Sequence, residues 1–512
     1  MEIRQWADSG RPALIMHPSG VRVGFAELES RANRLAHAFR SAGLREGDVV
    51  AVLMDNTEHT LAVMWAARRA GLYYATINTH LTAPEVAYIV DDCGAKAIVA
   101  SGALRDVCAE LEPHLTRGLP ALRLLTDAEL PGWRRYPDCV ADCPGTPLPD
   151  EREGDLLQYS SGTTGRPKGI RRPLPGCTPN AAPVMLAPLL GAIGLNEHSV
   201  YLSPAPLYHT APSFWSMSAQ ALGATVVVMD KFDPAGALEA IQTHGVTHGQ
   251  FVPTMFVRML KMPADAREAY DVSSLRRVVH AAAPCPADIK QQMIRWWGPI
   301  VDEFYGSSEG VGVSFIRAED WLSHPGSVGR PLVGVAHIVG EDGRELPAGT
   351  PGDIWFEGAG TFTYLNDPAK TAAAHNDQGW VNVGDVGYLD ADGFLYLTDR
   401  RNHMIISGGV NIYPQEAEDL LISHPRVLDA AVFGIPDEAM GESVTAVVQT
   451  VDAADATADF AEELLQWLRD RLAHYKCPRT LTFVAELPRT AVGKLNKRDL
   501  ARRYLDAGAH LR

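Results

Sequence analysis

From Tyr159 to Ile170 the chain reads Tyr-Ser-Ser-Gly-Thr-Thr-Gly-Arg-Pro-Lys-Gly-Ile. Gly162, Gly165 and Gly169 let backbone N–H groups approach an anion closely, Ser160, Ser161, Thr163 and Thr164 add hydroxyl donors, and Lys168 adds a positive charge. Small residues, donors and one cation together are the requirements of a phosphate-binding loop. The P-loop arrangement is excluded, because it separates its first glycine by four residues from a Gly-Lys pair that opens a helix, whereas Pro167 and Gly169 turn this chain back. Standing alone, such a run would read as an unliganded turn.

It does not stand alone. Tyr305-Gly306-Ser307-Ser308-Glu309 offers an aromatic ring, a flexible backbone and one carboxylate, and a hard cation such as Mg²⁺ commonly takes only one or two carboxylates. Val383-Gly-Asp385 and Asp399-Arg400 supply an acceptor and a donor for hydroxyl or phosphate groups. His280-Ala-Ala-Ala283-Pro-Cys-Pro286 places small side chains at a strand end, where a planar ring could lie against backbone. Leu487-Pro-Arg-Thr-Ala-Val-Gly-Lys494-Leu-Asn-Lys497 brings a lysine on a loop, and Ser407-Gly408-Gly409 a stretch open to close approach.

In this order, these segments resemble the motifs of the adenylate-forming (AMP-binding) superfamily over roughly residues 20 to 500, and within it bacterial fatty-acid or bile-acid and steroid-type acyl-CoA ligases. The resemblance implies an ATP-dependent acyl-CoA synthetase: a carboxylic acid and ATP give an acyl-adenylate and pyrophosphate, and coenzyme A then takes the acyl group with release of AMP. It assigns Ser160–Gly165 and Lys168 to the phosphates, and Ala283, Tyr305, Gly306, Ser307 and Ser308 to the adenine side. Glu309 goes to Mg²⁺, Asp385 and Arg400 to the ribose, and Lys494 to catalysis. His209 resembles the gate between the acyl and nucleotide sites. Ser407, Gly408 and Gly409 resemble the strand over which the pantetheine arm of CoA passes, and His474-Tyr-Lys-Cys-Pro478 a segment of fatty acyl-CoA synthetases. The family's hinge falls at Asn402, where Lys or Asp is usual, and His403 departs from the usual Asp. Ser308 keeps the hydroxyl of the family's Thr, and Val383 loses it.

The elements that must position these residues follow from hydrophobic periodicity. Phe25–Gly43 predicts an amphipathic helix. Val49–Met54, Tyr73–Ile77 and Ala95–Ala100 predict buried strands, with helices over His59–Ala70 and from Pro84 between them. The alternation resumes with strands at Ala224–Met229, Gly249–Val252 and Arg276–Ala281 and a helix from Pro234 to Thr243, so layered α/β units with mostly parallel sheets are expected. From about Gly329 short strands and Gly turns predict a small antiparallel region. Beyond Arg400, helices at Pro414–Ile422 and Ala461–His474 flank a strand at Ala430–Gly434. The expected fold is α/β. A large N-terminal nucleotide-binding domain spans residues 1–400, and a small mobile α+β C-terminal domain, 401–512, carries Lys494 and the CoA-channel glycines.

Composition limits the partners. A net charge of −16 over 512 residues repels polyanions, so nucleic acid is not expected as a partner. The start shows no secretory pattern, and Ala182–Leu195 is too short and too proline-broken to span a bilayer. Seven scattered cysteines fit reduced thiols and a cytoplasmic location, with Cys139 and Cys143 in a surface loop rather than a metal site. Tyr201–Met229, which includes His209, Phe214 and Trp215, contains no charged residue, and Gln250–Phe256 is expected as a further wall. The acid is therefore expected to be apolar: fatty, aryl or steroid-like. A ligase loading an acyl-carrier protein, a luciferase-like oxygenase and a dead nucleotide sensor are the rival readings, and the oligomeric state, a homodimer included, stays open.

Overall fold

The structure, a computed structural model, describes residues 2–160, 167–182, 186–358, 360–400, 403–408, 410–438, 440–489, 494–495 and 497–507, with only the backbone of Ser160, Arg400, Arg498 and Ala507. It is a mixed α/β protein with a large sheet-rich N-terminal domain and a small C-terminal one. The first α/β unit is a six-stranded parallel sheet ordered Arg134–Arg135, Leu122–Leu125, Ala97–Ala100, Val49–Leu53, Tyr73–Thr76, Asp155–Leu156. The predicted helices flank it as Phe25–Ser41, Thr60–Arg69 and Ala83–Cys93, the last opened by a Thr82/Glu85 capping box with Pro84 in the first turn.

The second unit contains six parallel strands ordered Pro12–His17, Thr225–Met229, Val200–Ser203, His248–Phe251, Arg277–His280, Val301–Gly306. The strands expected after Gly329 are antiparallel, and they continue this sheet into thirteen strands. The chain reverses between Gly306 and Val313, so Val313–Ile316 pairs antiparallel with Val301–Gly306 and covers its edge. Ser327–Val333, Leu395–Arg400, Val381–Leu389, Gly352–Glu357 and Val335–Val339 then add in turn.

The Thr210–Ala221 helix joins the two units. Trp65 Nε1 donates to Gln220 Oε1 at 2.8 Å and Tyr74 OH to Met217 Sδ at 3.6 Å, so one face of the helix belongs to the first unit while the helix packs on strands of the second. Beneath the ends of two central strands, Lys290 Nζ donates to Glu303 Oε2 at 2.7 Å and lies 4.8 Å from the Trp321 ring centroid, with both charged side chains buried. His280, fully buried 3.4 Å away from the same carboxylate, is held neutral by burial and by the Lys290 charge.

The C-terminal domain is a five-stranded sheet, Val410–Ile412, Ile405–Ser407, Gly441–Thr450 and Val427–Asp437, with Thr480–Phe483 parallel to Gly441–Thr450. Its helices are Gln415–Ser423, Ala458–Arg469 and Lys497–Ala507. The second ends five residues before the predicted His474, because the Leu468 carbonyl accepts from both Arg471 N and Leu472 N and the chain turns there. Cys139 is not in a surface loop either: it is buried on the Tyr136–Val140 helix, and all seven cysteines are free thiols. Among the described residues no helix is long and apolar enough to cross a membrane.

Candidate active site

Four adjacent parallel strands, Val200–Ser203, His248–Phe251, Arg277–His280 and Val301–Gly306, release their chains at one edge of the sheet. The carboxyl ends of parallel strands are where α/β proteins bind ligands, because loops there are free of ladder hydrogen bonds. His209 precedes the helix that follows the first strand, the Ala281–Pro286 segment follows the third, and Tyr305-Gly306 ends the fourth.

The structure brings Tyr305, Asp385 and the backbone of Arg400 together, and Ser308 to the helix that follows His209. Tyr305 OH donates to Asp385 Oδ2 at 2.6 Å, joining two motifs far apart in sequence, and Asp385 stands opposite Arg400 in the neighbouring strand. Asp385 is buried. Gly306 is needed where it is, since a Cβ there would meet Gly312 O at 3.3 Å. Ser308 Oγ lies 3.3 Å from Thr210 Oγ1, tying this segment to the His209 helix, and Ser308 O accepts from Arg172 Nη1 at 3.4 Å. Beside Ala283, Ala282 adopts φ 75°, a left-handed conformation that costs a non-glycine residue about 1–2 kcal/mol and bends the chain sharply at the strand end.

His209 lies within the electrostatic reach of Lys494. Burial, then the Lys494 charge, then His80 push the His209 imidazole down to about 3, so the ring is neutral at ordinary pH. His209 Nε2 and Ser307 Oγ are buried with no hydrogen-bond partner, although buried polar groups are normally paired. Two orphaned polar atoms at one strand edge suit a cleft that a polar substrate completes. The C-terminal domain is docked by Lys261 Nζ, which donates to His424 O at 2.9 Å and Pro425 O at 3.3 Å, at the end of the Gln415–Ser423 helix, where a cation is favoured.

Lys168 is held by Asp367, Nζ to Oδ2 at 2.9 Å, and a three-stranded sheet pairs Lys168–Arg171 with Gln158–Ser160 and Thr363–Tyr364. The last of these strands carries residues that sequence reasoning missed. Tyr364 OH donates to Glu309 Oε1 at 2.9 Å, and Lys370 Nζ lies 3.9 Å from the Tyr364 ring centroid. Burial and Lys168 hold the Lys370 ammonium below its ordinary value, against the pull of Glu309 and Asp367. Asp367-Pro368 is a legible helix start, with Asp367 Oδ1 accepting from Lys370 N, but nothing in it points to a carboxylate 55 positions earlier. Glu309 fits Mg²⁺ as a single oriented carboxylate. No group of three or more His, Cys, Asp or Glu among the described residues could hold a metal, so the rest of the coordination shell would come from nucleotide and water.

Other expectations fall elsewhere. Phe251 and Phe256 of the expected wall stack on each other and meet Trp297 edge-on, ring centroids 5.7 and 6.0 Å away, in the core on the opposite face of the sheet. Only Gln250 of that pair of faces remains toward the His209 side, by strand alternation. Ser407 and Gly408 lie at a hairpin turn. Gly408 has φ 58° and a Cβ there would come 2.5 Å from Met440 Cε. Ser161, Gly162, Thr163, Thr164, Gly165, Asn402 and Gly409 lie outside the described residues, as do the side chains of Ser160 and Arg400.

Residues 3–364 match the AMP-binding enzyme family and residues 416–494 the AMP-binding enzyme C-terminal domain. The chain belongs to the AMP-binding enzyme family. It is 34% identical over 504 residues to a feruloyl-CoA synthase of Amycolatopsis sp, covering 96% of this chain and 97% of that one. It is 32% identical to an indoleacetate–CoA ligase of Aromatoleum aromaticum, covering 98% of each. Among solved structures, the amide bond synthetase McbA from Marinactinospora thermotolerans superposes with a TM-score of 0.82 at 28% identity over 98% of this chain and 99% of that one. This AMP-binding enzyme is an acid–thiol ligase.

Two outcomes follow from the geometry of its site. Tyr364→Phe removes a hydrogen bond to a carboxylate, worth about 1.5–3 kcal/mol, and should raise the KM for MgATP about tenfold while leaving AMP affinity, read by calorimetry, unchanged. An unaltered KM would mean that Tyr364 does not orient Glu309. His209 is neutral when folded, so the unfolded chain takes up a proton near pH 6.5 that the folded chain refuses until about pH 3. Stability from this group is therefore full above pH 6.5 and lost as pH falls toward 3. In urea unfolding, His209→Gln should reduce the fall in stability over that window by about 1.4 kcal/mol per pH unit, one proton's worth. A slope equal to the parent's would place His209 in water.

Proposed function

We propose that the enzyme joins an aromatic monocarboxylic acid to coenzyme A through an acyl-adenylate, with ATP as the source of AMP. The observation that supports this reading is a buried, neutral His209, which feels the Lys494 charge, at the start of a helix without charged residues. A cation on one side and an uncharged wall on the other suit the meeting of phosphate with an apolar acid. An ammonium or second carboxylate on the acid would be desolvated beside that wall without a counter-ion. The named relatives that act on ferulate-type and indoleacetate acids support an aryl substrate over the fatty and steroid-like alternatives, and CoA over a carrier protein.

In the first half-reaction a carboxylate oxygen bonds to the α-phosphorus of ATP as the bond to the bridging oxygen breaks and pyrophosphate leaves. Lys494 neutralises charge on the α-phosphate, Lys168 and the Ser160–Gly165 loop hold the outer phosphates, and Tyr305, Ala283 and Asp385 place adenine and ribose. Mg²⁺, held at Glu309, would supply further charge neutralisation. Positioning and electrostatics thus do most of the work. In the second half-reaction the CoA thiol loses its proton and bonds to the acyl carbon while AMP departs. That step needs Lys494 withdrawn and the thiol admitted, which a rotation of residues 401–512 about Asn402 would provide. Exposed Ile406 and Val410 beside the Ser407–Gly409 turn support that turn as the pantetheine contact after rotation.

Lys494→Ala should lower acid-dependent adenylation about 10²–10³-fold while leaving the conversion of pre-formed acyl-adenylate and CoA to thioester near the parent rate. Equal losses in both steps would contradict the assignment, and activity with a carrier protein but not with CoA would replace the acceptor.

A further inference from the structure

The Thr363–Lys370 segment is built onto both ends of the phosphate-binding run. At the far end, Tyr364 pairs with Ile170, and Leu365 N donates to the Gly169 carbonyl at 2.8 Å. Gly169 permits this approach, since a Cβ there would come 3.2 Å from Leu365 Cβ and 3.1 Å from the Tyr159 ring. At the near end, Asp92 ties the two together: Oδ2 accepts from Tyr159 OH at 2.6 Å and Oδ1 from Asn366 Nδ2 at 3.0 Å. Asn366 holds φ 56°, a left-handed turn that asparagine tolerates, and the chain it turns carries Asp367 and Lys370 back to Lys168. Asp367 then accepts from Lys168 Nζ through Oδ2 at 2.9 Å and from Lys370 N through Oδ1 at 3.0 Å.

Two ammonium groups are thus brought together with one carboxylate bonded to the first. Among the described residues no carboxylate lies within ion-pair distance of Lys370 Nζ, which rests on the Tyr364 ring 3.9 Å from its centroid. Burial and the neighbouring Lys168 both disfavour its charge, and Glu309 and Asp367 attract it only at longer range. Like charges held side by side are costly unless an anion comes between them. Resting on the reading of this site as an ATP-dependent acid–CoA ligase, we infer that Lys370 is a second phosphate-binding lysine, which with Lys168 takes the β- and γ-phosphates of ATP and keeps hold of them as pyrophosphate. When the bond from the α-phosphorus to the bridging oxygen breaks, its electron pair stays on that oxygen and the pyrophosphate gains a negative charge. Lys370 meets that charge as an ammonium and gives up no proton.

The test compares parent, Lys370→Met and Lys370→Arg proteins by calorimetric binding of ATP and of AMP without acid, and by the KM for pyrophosphate in acid-dependent exchange into ATP. Methionine keeps an apolar stem over the Tyr364 ring and removes the charge. Lys370→Met should weaken ATP binding and raise the pyrophosphate KM about tenfold each, the loss expected of one charge-assisted hydrogen bond. Its AMP affinity and its KM for CoA should stay within about twofold. Lys370→Arg keeps the charge and should recover at least part of both losses. A Met variant that binds ATP and pyrophosphate as the parent does overturns the inference while keeping the ligase reading. Equal losses for ATP and AMP would make Lys370 a support of the whole site, and a rise in the CoA KM alone would move it to the phosphates of CoA; either overturns the assignment. A parent without acid-dependent exchange overturns the ligase reading itself, and the ATP and AMP affinities then still decide whether Lys370 meets phosphate.

Discussion

The proposed site depends on the electrostatic influence of Lys494 on a buried His209 at the start of an uncharged helix. A carboxylate and a triphosphate repel each other, so an enzyme that joins them needs cations at the phosphates and none along the acid. Lys168 and Lys370 sit with Glu309 and Asp367 on the nucleotide side. On the acid side, burial keeps His209 neutral despite its potential to ionise. The same burial that removes charge from the wall makes His209 sensitive to Lys494, because electrostatic influence grows as water is excluded.

The proposed domain rotation has to be reversible, and the polar docking contact fits that requirement. Lys261 clasps the end of a C-terminal-domain helix through two backbone carbonyls. A hydrogen bond from a charged lysine contributes about 1.5–3 kcal/mol, and water can take its place when the two surfaces part. The N-terminal domain contrasts with this. Its central strands are underlain by the buried Lys290–Glu303 pair, whose disruption would leave an isolated charge in the core. One buried apolar cluster runs from Phe256 and Ile289 to Ile405, Ile412 and Leu421, so the two parts also share apolar surface.

Much of this was legible in the sequence, and the limits have physical causes. Strand–helix alternation located Val49–Leu53, Tyr73–Thr76, Ala97–Ala100, Thr225–Met229, His248–Phe251 and Arg277–His280, because a buried face leaves a period in the chain, but it missed Pro12–His17, Leu122–Leu125, Val200–Ser203 and Val301–Gly306. It could not say that the later strands extend the second sheet, since period 2 records which face is buried and not which neighbour is paired. The resemblance of motifs placed Tyr305, Asp385, Glu309 and Lys494 at one site. The bond from Tyr305 to Asp385 and the one from Tyr364 to Glu309 are long-range contacts with no spacing to reveal them. Ala282 carries no mark of its left-handed backbone, because alanine, unlike glycine or asparagine, does not advertise that conformation.

Acid-dependent exchange of labelled pyrophosphate into ATP, measured without CoA, tests most directly the claim that the docked domains form the adenylation arrangement. An aromatic acid should support exchange at a rate independent of CoA, and no AMP should accumulate until the thiol is added. If exchange requires CoA, or proceeds without any acid, then Lys494 beside His209 is not the catalytic arrangement that makes the adenylate.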